Sequence, residues 1–382
     1  MTTKDFFPQG IARGGAFLGR ENESAALKAN IALGHHTLLV APRRYGKTSL
    51  ARHVLSELKL PYEEINFYLS RSATSVERKI RGVIQTILSD KLGKSEQIFK
   101  SLKSFFSRSK KKWTFGFKGV AGVELTPDNE NEPADNIFTV LSLLDATLGA
   151  HNKKIVLFLD EFQEIDLIDE GKQVQGAIRE FAQQSKNVVF VFSGSNRRLL
   201  HHMFDDSSMP LYELCERLKL ETIDAEIYRT YINQVALQTY QRALNSDVLE
   251  AILSISRRHP KRVYNLCHQL WLTNKDADFS VEDVQYGWNK LVKLRLNDVR
   301  LKLSKLNQSQ LKTLTLIALG FDKPISGKEA QAKLDLSSAA ITRAVRILED
   351  EALIVKSDEN QLSIVDPLFE SVLAQYESEN VE

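Results

Sequence analysis

Cysteine is nearly absent: Cys215 and Cys267 are the two in 382 residues. They are too few and too far apart for a disulfide framework, a thiolate metal cage or a Cys-x-x-Cys redox pair, and they read as two buried thiols in a reducing compartment. No apolar run approaches the ~20 residues needed to cross a bilayer. The opening stretch MTTKDFFPQG lacks the apolar centre of a targeting signal. A cytoplasmic location without membrane contact is therefore expected. Charge of one sign is also missing, with 51 basic against 49 acidic residues and a net of +2, so any nucleic-acid contact requires a local patch. What remains, 43% hydrophobic and 26% charged residues, is the composition of a globular protein. A chain of 382 residues exceeds what one core usually supports, so two or three domains are expected.

The most informative stretch is APRRYGKTSL, residues 41–50. It lies between HTLLV (36–40), a short buried strand, and TSLARHVLSEL (48–58), a helix, which is the context a phosphate-binding loop requires. Backbone N–H groups of such a turn and the positive end of the helix dipole attract a phosphate. The loop residues Pro42, Arg43, Arg44, Tyr45, Gly46, Lys47, Thr48 and Ser49 are thus candidate nucleotide contacts. Gly46 supplies a backbone conformation that a side chain would block. Lys47 suits the β- and γ-phosphates, and the Thr48 hydroxyl suits Mg²⁺. Ala41 stands where the motif G-x-x-x-x-G-K-[ST] begins with glycine, a departure of modest expected cost.

A second motif follows at IVLFLDEFQE, where five apolar residues, 155–159, run directly into Asp160 and Glu161. A wholly apolar strand suits a parallel sheet covered on both faces, and open α/β sheets collect their ligands at the C-terminal strand tips. Asp160 would hold the Mg²⁺ shell, and Glu161 would orient and deprotonate an attacking water. A guanine nucleotide is disfavoured, because no Asn-Lys-x-Asp follows and NKDAD (274–278) comes too late in the chain. A third apolar strand, NVVFVFSGS (187–195), turns polar at its tip. Ser193, Ser195 and Asn196 are there as γ-phosphate contacts or simply as a helix cap.

Upstream, FLGRENESAALKANIALG runs from a Gly-Arg turn into an amphipathic helix. FLGRENE, APRRYGKTSL, LFLDEFQE, FSGS and MPLYE together resemble the AAA+-related STAND ATPases, and within them the archaeal-type ATPase family. The resemblance covers roughly residues 17–373. It implies ATP and Mg²⁺ as ligands and places Gly19 and Arg20 near the base. Two departures bear on catalysis. The family's Leu-Tyr-Gly-Arg after the third strand is here LYELCER, so its arginine is missing; Arg217 is better placed for a surface salt bridge. The small-x-Pro turn of the family's helical lid is here RRHPKRV, where Lys261 or Arg262 would reach the phosphates as a sensor. Slow hydrolysis, or hydrolysis completed by a partner, is the expectation.

Between the first two motifs, residues 94–118 carry eight Lys or Arg (94, 100, 103, 108, 110, 111, 112 and 118) against Glu96. KKKWTFGFKGVAGVEL then alternates as a hairpin would, and an acidic turn follows. The basic run is a solvated loop or a docking surface for nucleic acid or an acidic protein. Residues 223–275 read as a small helical lid and 281–305 as helices leading out of it. Residues 306–382 give three helices followed by two short strands in 353–367, a winged-helix pattern. Ser337, Ser338, Thr342, Arg343 and Arg346 would face outward from its third helix, and Ala352 stands where glycine often precedes the wing. This module carries seven basic and thirteen acidic residues, a net of −6 and a poor charge for binding DNA.

The sequence thus predicts an α/β, P-loop NTPase (AAA+-like) parallel-sheet core at 1–220 with a basic insertion at about 94–125. A helical lid and connecting helix at 221–305 and a winged helix at 306–382 complete it. The favoured function is an ATP-driven switch that couples nucleotide state to domain arrangement and to a protein partner, with oligomerisation left open. One alternative is a DNA-binding ATPase resembling origin-recognition initiators, using segment 94–118 or helix 290–305. The other is a nucleotide-binding scaffold without hydrolysis.

Overall fold

The computed structural model describes residues 3–91, 105, 113–118, 122–128, 131–273, 278–321, 323–357 and 361–380. In chain order these form α1 (Thr3–Phe6), α2 (Glu21–Leu33), β1 (Thr37–Val40), α3 (Lys47–Glu57), β2 (Tyr62–Asn66) and α4 (Ala73–Thr86). Next come the strands β3 (Trp113–Lys118) and β4 (Gly122–Pro127), α5 (Pro133–Ala150), β5 (Ile155–Asp160) and α6 (Gly171–Gln184). β6 (Val188–Gly194), α7 (Arg197–Asp205) and β7 (Glu216–Lys219) complete the strand-rich part. The helices α8 (Ala225–Tyr240), α9 (Ser246–Ile255), α10 (Pro260–Thr273) and α11 (Val281–Leu303) follow. The chain ends in α12 (Gln308–Ala318), α13 (Lys328–Leu334), α14 (Ser338–Asp350), β8 (Ile354–Lys356), β9 (Leu362–Ile364) and α15 (Pro367–Asn380).

Two compact units result. The first comprises Asn22–Ala41 and Leu50–Leu220. Its five-stranded sheet has the order β2-β5-β6-β1-β7, with every pairing parallel. β1, β5 and β6 are buried along their whole length, which is why their sequences are uninterrupted apolar runs rather than alternating ones. All strands point the same way, so the C-terminal ends of β1, β5 and β6 share one edge, and the polar residues cluster there. Beneath that edge Phe162 packs against Phe192, Phe67 and Phe204 at ring-centroid distances of 4.7, 5.9 and 6.1 Å. α4 starts at a Ser72–Ser75 capping box, which satisfies helix N–H groups that would otherwise be orphaned. A separate hairpin, β3–β4, pairs antiparallel from Trp113↔Pro127 to Lys118↔Gly122. Of the basic stretch, Lys94, Lys100, Lys103, Arg108, Lys110, Lys111 and Lys112 lie outside the described residues.

The second unit gathers Met1–Glu21, Pro42–Ser49 and Glu221–Glu382. Its core runs from Phe7 through the buried faces of α8, α10 and α11 to Leu368, Phe369, Val372 and Leu373 of α15. α11 is one unbroken helix. Val284, Trp288, Val292, Val299 and Leu303 form its inner face, and a Ser280–Asp283 capping box starts it. α12, α13, α14 and the antiparallel pair β8–β9 follow in the order expected for a winged helix. Ile341, Ala344 and Leu348 of α14 point inward, while Val345 is only half-buried; Ser337, Ser338, Thr342, Arg343 and Arg346 are exposed.

The cysteines are both free thiols, but only Cys267 is buried. Cys215 is half-buried, because it precedes β7, the exposed edge strand of the sheet. Among the described residues no helix is long and apolar enough to cross a membrane.

Ala352 has φ 52°, which explains why glycine suits that place before the wing: in the left-handed region a Cβ crowds the following carbonyl. Relieving the crowding outweighs the extra freedom that glycine gives the unfolded chain. Ala352→Gly should therefore raise stability by about 0.5–1 kcal/mol in urea titration. A lowered midpoint would contradict this account.

Candidate functional site

The phosphate-loop residues and the strand-tip carboxylates fall in different units, and each set has its own geometry. In the loop, Gly46 has φ 93°, as the sequence demanded, and Arg44 has φ 68° without being glycine. Such a conformation persists only where surrounding contacts hold it, and it concentrates at functional sites. Lys47 is the first residue of α3 and only 6% exposed; its ammonium donates to the Pro42 carbonyl at 3.0 Å. Thr48 lies half-buried in the same helical turn, and the Ser49 hydroxyl accepts from the Ala12 N–H at 3.2 Å. Pro42 is half-buried and Arg43 exposed.

Arg20 and Gly19 reach this loop from the N-terminal side. The buried Arg20 guanidinium donates to the Tyr45 carbonyl at 3.3 Å and to the Glu221 carbonyl at 2.7 Å, tying the loop to the chain that follows β7. Gly19 has φ 66°, and a Cβ there would sit 2.5 Å from Ile223 Cγ2. Glycine is thus required for both conformation and space. The Tyr45 ring meets His259 edge-on at 5.1 Å.

At the strand tips, Asp160 is 5% exposed and accepts from the Ser193 hydroxyl at 2.6 Å and from the Glu161 N–H at 3.1 Å. Glu161 has φ 51°, and its Oε2 accepts from both Ser195 Oγ and Gln163 Nε2 at 2.7 Å. Two donors on one oxygen fix the carboxylate's direction, as a water-activating base requires. Gln163 also accepts from the Ser195 N–H at 3.2 Å. A Cβ on Gly194 would fall 2.2 Å from its amide oxygen, so a larger residue there would push the Gln163 side chain off Ser195. Asn196 caps α7 by accepting from the Leu199 N–H at 3.0 Å. Of the three polar residues left open at this tip, Ser193 thus bonds Asp160, Ser195 bonds Glu161, and Asn196 is the cap. Sequence reasoning passed over Gln163, although it sits in the quoted DEFQE. It also passed over Arg52, whose fork binds Glu64 at 2.8 and 2.9 Å; that bond raises the guanidinium's pKa.

The lid residues are engaged elsewhere. Arg262 donates from Nε to Asp366 Oδ1 at 2.7 Å and from Nη2 to Asp366 Oδ2. Arg44 Nη1 lies 3.2 Å from the same Oδ2. Lys261 donates to the Gln9 carbonyl at 2.9 Å. Burial raises the Asp366 carboxyl, but the hydrogen bond and charge of Arg262, with His259 and Arg44 behind, bring it below its ordinary range. Burial lowers Lys261 and Lys302, and neighbouring arginines lower them further. Arg217 pairs with Asp205, the salt bridge expected of it. Among the described residues no group of three or more His, Cys, Asp or Glu is arranged to hold a metal. Mg²⁺ at a nucleotide site needs no such cage, since one or two protein oxygens, waters and phosphates suffice.

An all-parallel sheet whose first strand feeds a glycine-lysine-threonine turn, with a carboxylate ending the strand two places away, defines the P-loop ATPase class. The model of the family described as an ATPase domain predominantly from Archaea matches residues 17–266, and the chain belongs to that family; it is a nucleotide-binding ATPase. No curated protein matches it. Among solved structures it is similar to a Walker-type ATPase of Pyrococcus abyssi, with 20% identity over 97% of this chain and 99% of that one and a TM-score of 0.67. It is also similar to the Aeropyrum pernix ORC2 protein in its ADPNP–ADP complexes, with 14% identity over 99% and 98% of the two chains and a TM-score of 0.57. The Aeropyrum pernix ORC1 protein in complex with DNA gives 14% identity over 100% and 98% and a TM-score of 0.52. At such identities the shared property is the fold.

His259 yields a pH-dependent prediction. The ring is 1% exposed, and neither nitrogen has a hydrogen-bond partner among the described residues. Burial lowers its pKa from 6.5 to about 4, against the opposing pull of Asp366. Between those values the unfolded chain binds the proton and the folded one does not, so stability falls as pH drops from 6.5 towards 4. The loss approaches about 3 kcal/mol at the acid end. His259→Phe should flatten this slope in urea titrations from pH 7 to 4. An unchanged slope would assign the acid sensitivity to other groups.

Proposed function

We propose that the chain is an ATP-driven switch. Residues 1–220 form the ATPase core, 221–305 the lid and connecting helix, and 306–382 a winged helix that engages a protein partner in the cytoplasm. The observation that carries this reading is that the loop Pro42–Ser49 belongs to the same compact unit as the lid and the C-terminal module. A phosphate on that loop changes the charge felt by the C-terminal segment directly, and nucleotide state biases the arrangement of that unit.

In this reading Gly46 and the N–H groups of the loop cradle the phosphates, Lys47 compensates the β- and γ-phosphate charge, and Thr48 and Asp160 hold Mg²⁺. Pro42, Arg43, Arg44, Tyr45 and Ser49 shape the loop, and Ser195 and Arg262 respond to the γ-phosphate. Gly19 and Arg20 flank the base, where Ile223 beside Gly19 offers an apolar surface. Glu161 activates water, its aim supported by Ser195 and Gln163. The arginine missing from LYELCER supports slow or partner-stimulated turnover. A DNA-binding ATPase is the weaker reading, because the C-terminal module carries a net −6 and phosphate contacts dominate DNA affinity.

Two substitutions test the chemistry separately. Lys47→Ala removes the loop's principal cation and should abolish ATP binding in calorimetric titration. Retained affinity would sink the phosphate-loop assignment. Glu161→Gln keeps shape and an acceptor oxygen but removes the base, so ATP affinity should persist while turnover drops by roughly 10²-fold or more. Turnover equal to wild type would remove Glu161 from the mechanism.

A further inference from the structure

We propose that Asp366 is an internal competitor of the γ-phosphate: it holds the Arg44–Arg262 pair that the terminal phosphate of ATP would otherwise take, and so sets the protein's preference for ATP over ADP. The inference rests on the reading of Pro42–Ser49 as the ATP loop.

The geometry is that of an anion site. Arg262 presents Nε and Nη2 to the two oxygens of one carboxylate, the fork arrangement with which guanidinium groups grip carboxylates and phosphates alike. Arg44, from the loop itself, adds a third contact at 3.2 Å. Arg262 is buried, its head held in place by a further bond to Asn265 at 3.2 Å. Arg44 adopts the left-handed backbone at φ 68°. The anion receptor is thus preformed on two elements, one of which is the phosphate loop.

One carboxylate underfills that receptor. Arg44 feels Arg262, Arg43 and Arg295 as neighbouring cations and Asp366 as the opposing anion. Lys261 feels Arg44, Arg262 and Arg295 against the same Asp366. Arg295 is itself paired with Asp298 at 2.9 Å, so one carboxylate faces Arg43, Arg44, Arg262 and Lys261, and the residual field is positive. A terminal phosphate, with more charge and three acceptor oxygens, satisfies it better. ADP lacks the group that competes.

The position of Asp366 gives the competition its consequence. Asp366 follows β9 by two residues and stands directly before α15; its Oδ1 also accepts from the Leu368 N–H at 3.1 Å. Displacing the carboxylate therefore removes the contact between the start of the terminal helix and the loop, while Glu370 still pairs with Arg257. Asparagine keeps the oxygen that caps α15 and removes the charge, so the cap and the competition are separable.

The test is nucleotide affinity in the full chain, by calorimetry with ATP and ADP. Where a competing state dominates, apparent affinity is reduced by the fraction that is binding-competent. Asp366→Asn should therefore tighten ATP about ten-fold and ADP less than about three-fold. Asp366→Ser, which also keeps a capping oxygen, should do the same. In an Arg262→Ala background the effect of Asp366→Asn on ATP should shrink to no more than about three-fold, because the fork is gone and the Arg44 contact alone remains contested. Equal effects on ATP and ADP, or a full effect without Arg262, would overturn the proposal. So would loss of folding in both Asp366 variants, which would make Asp366 a structural pin. A wild-type chain that binds no ATP would instead bring down the loop assignment and the competition together. Binding by wild type with an unaltered ATP-to-ADP ratio in the variants would bring down the competition alone.

Discussion

A parallel sheet covered on both faces tolerates polar groups only where its strands end, and the ATPase chemistry of this chain follows from that constraint. β1, β5 and β6 are buried end to end. Unpaired polar atoms along them would each cost a few kcal/mol, so the side chains that carry chemistry are confined to the shared C-terminal edge. There the polar groups are not left to solvent. Ser193 bonds Asp160, and Ser195 and Gln163 bond Glu161, so neighbouring strand tips brace each other's carboxylates. With one oxygen of Glu161 committed to two donors, its orientation no longer depends on solvent.

The same constraint explains what could be read from the chain. Buried strands leave uninterrupted apolar runs, so β1, β5 and β6 were legible within a residue or two of their observed ends, as were the glycine-lysine-threonine turn and the carboxylate tip. The edge strands were not. β2 reads YEEIN and β7 reads ERLK, sequences shaped by solvent on one side and carrying no distinct signal. The three helices and ribbon at the C-terminus were legible because amphipathic periodicity survives in each of them. The basic stretch of α11 was legible as a helix because its apolar spacing leaves the charges on one face.

The contacts that distinguish this chain were the least legible of all. Arg44 and Asp366 are separated by 322 residues in sequence, and nothing local to RRYGKT or VDPLFE says that they meet. Arg262 was expected to serve the phosphates from its place in RRHPKRV, but not to be occupied by a carboxylate. Arg20 was assigned to the base by resemblance, and nothing local to FLGRENE says that it also holds the Tyr45 and Glu221 carbonyls. Pattern reading finds which residues are capable of a role. Long-range electrostatics decides which of them are already engaged.

That distinction bears on how binding energy is distributed at the loop. Lys47 donates to Pro42, Ser49 accepts from Ala12, and Arg20 secures Tyr45. A phosphate arriving there exchanges some hydrogen bonds for others, and an exchange of neutral hydrogen bonds nets only about 1 kcal/mol apiece. The larger gain comes from charge, at guanidinium groups that now hold one carboxylate. A gain there requires an anion to leave. Nucleotide binding at such a loop is therefore not a single favourable step. In the proposed competition, Asp366 already occupies Arg44 and Arg262, and a terminal phosphate must take them from it.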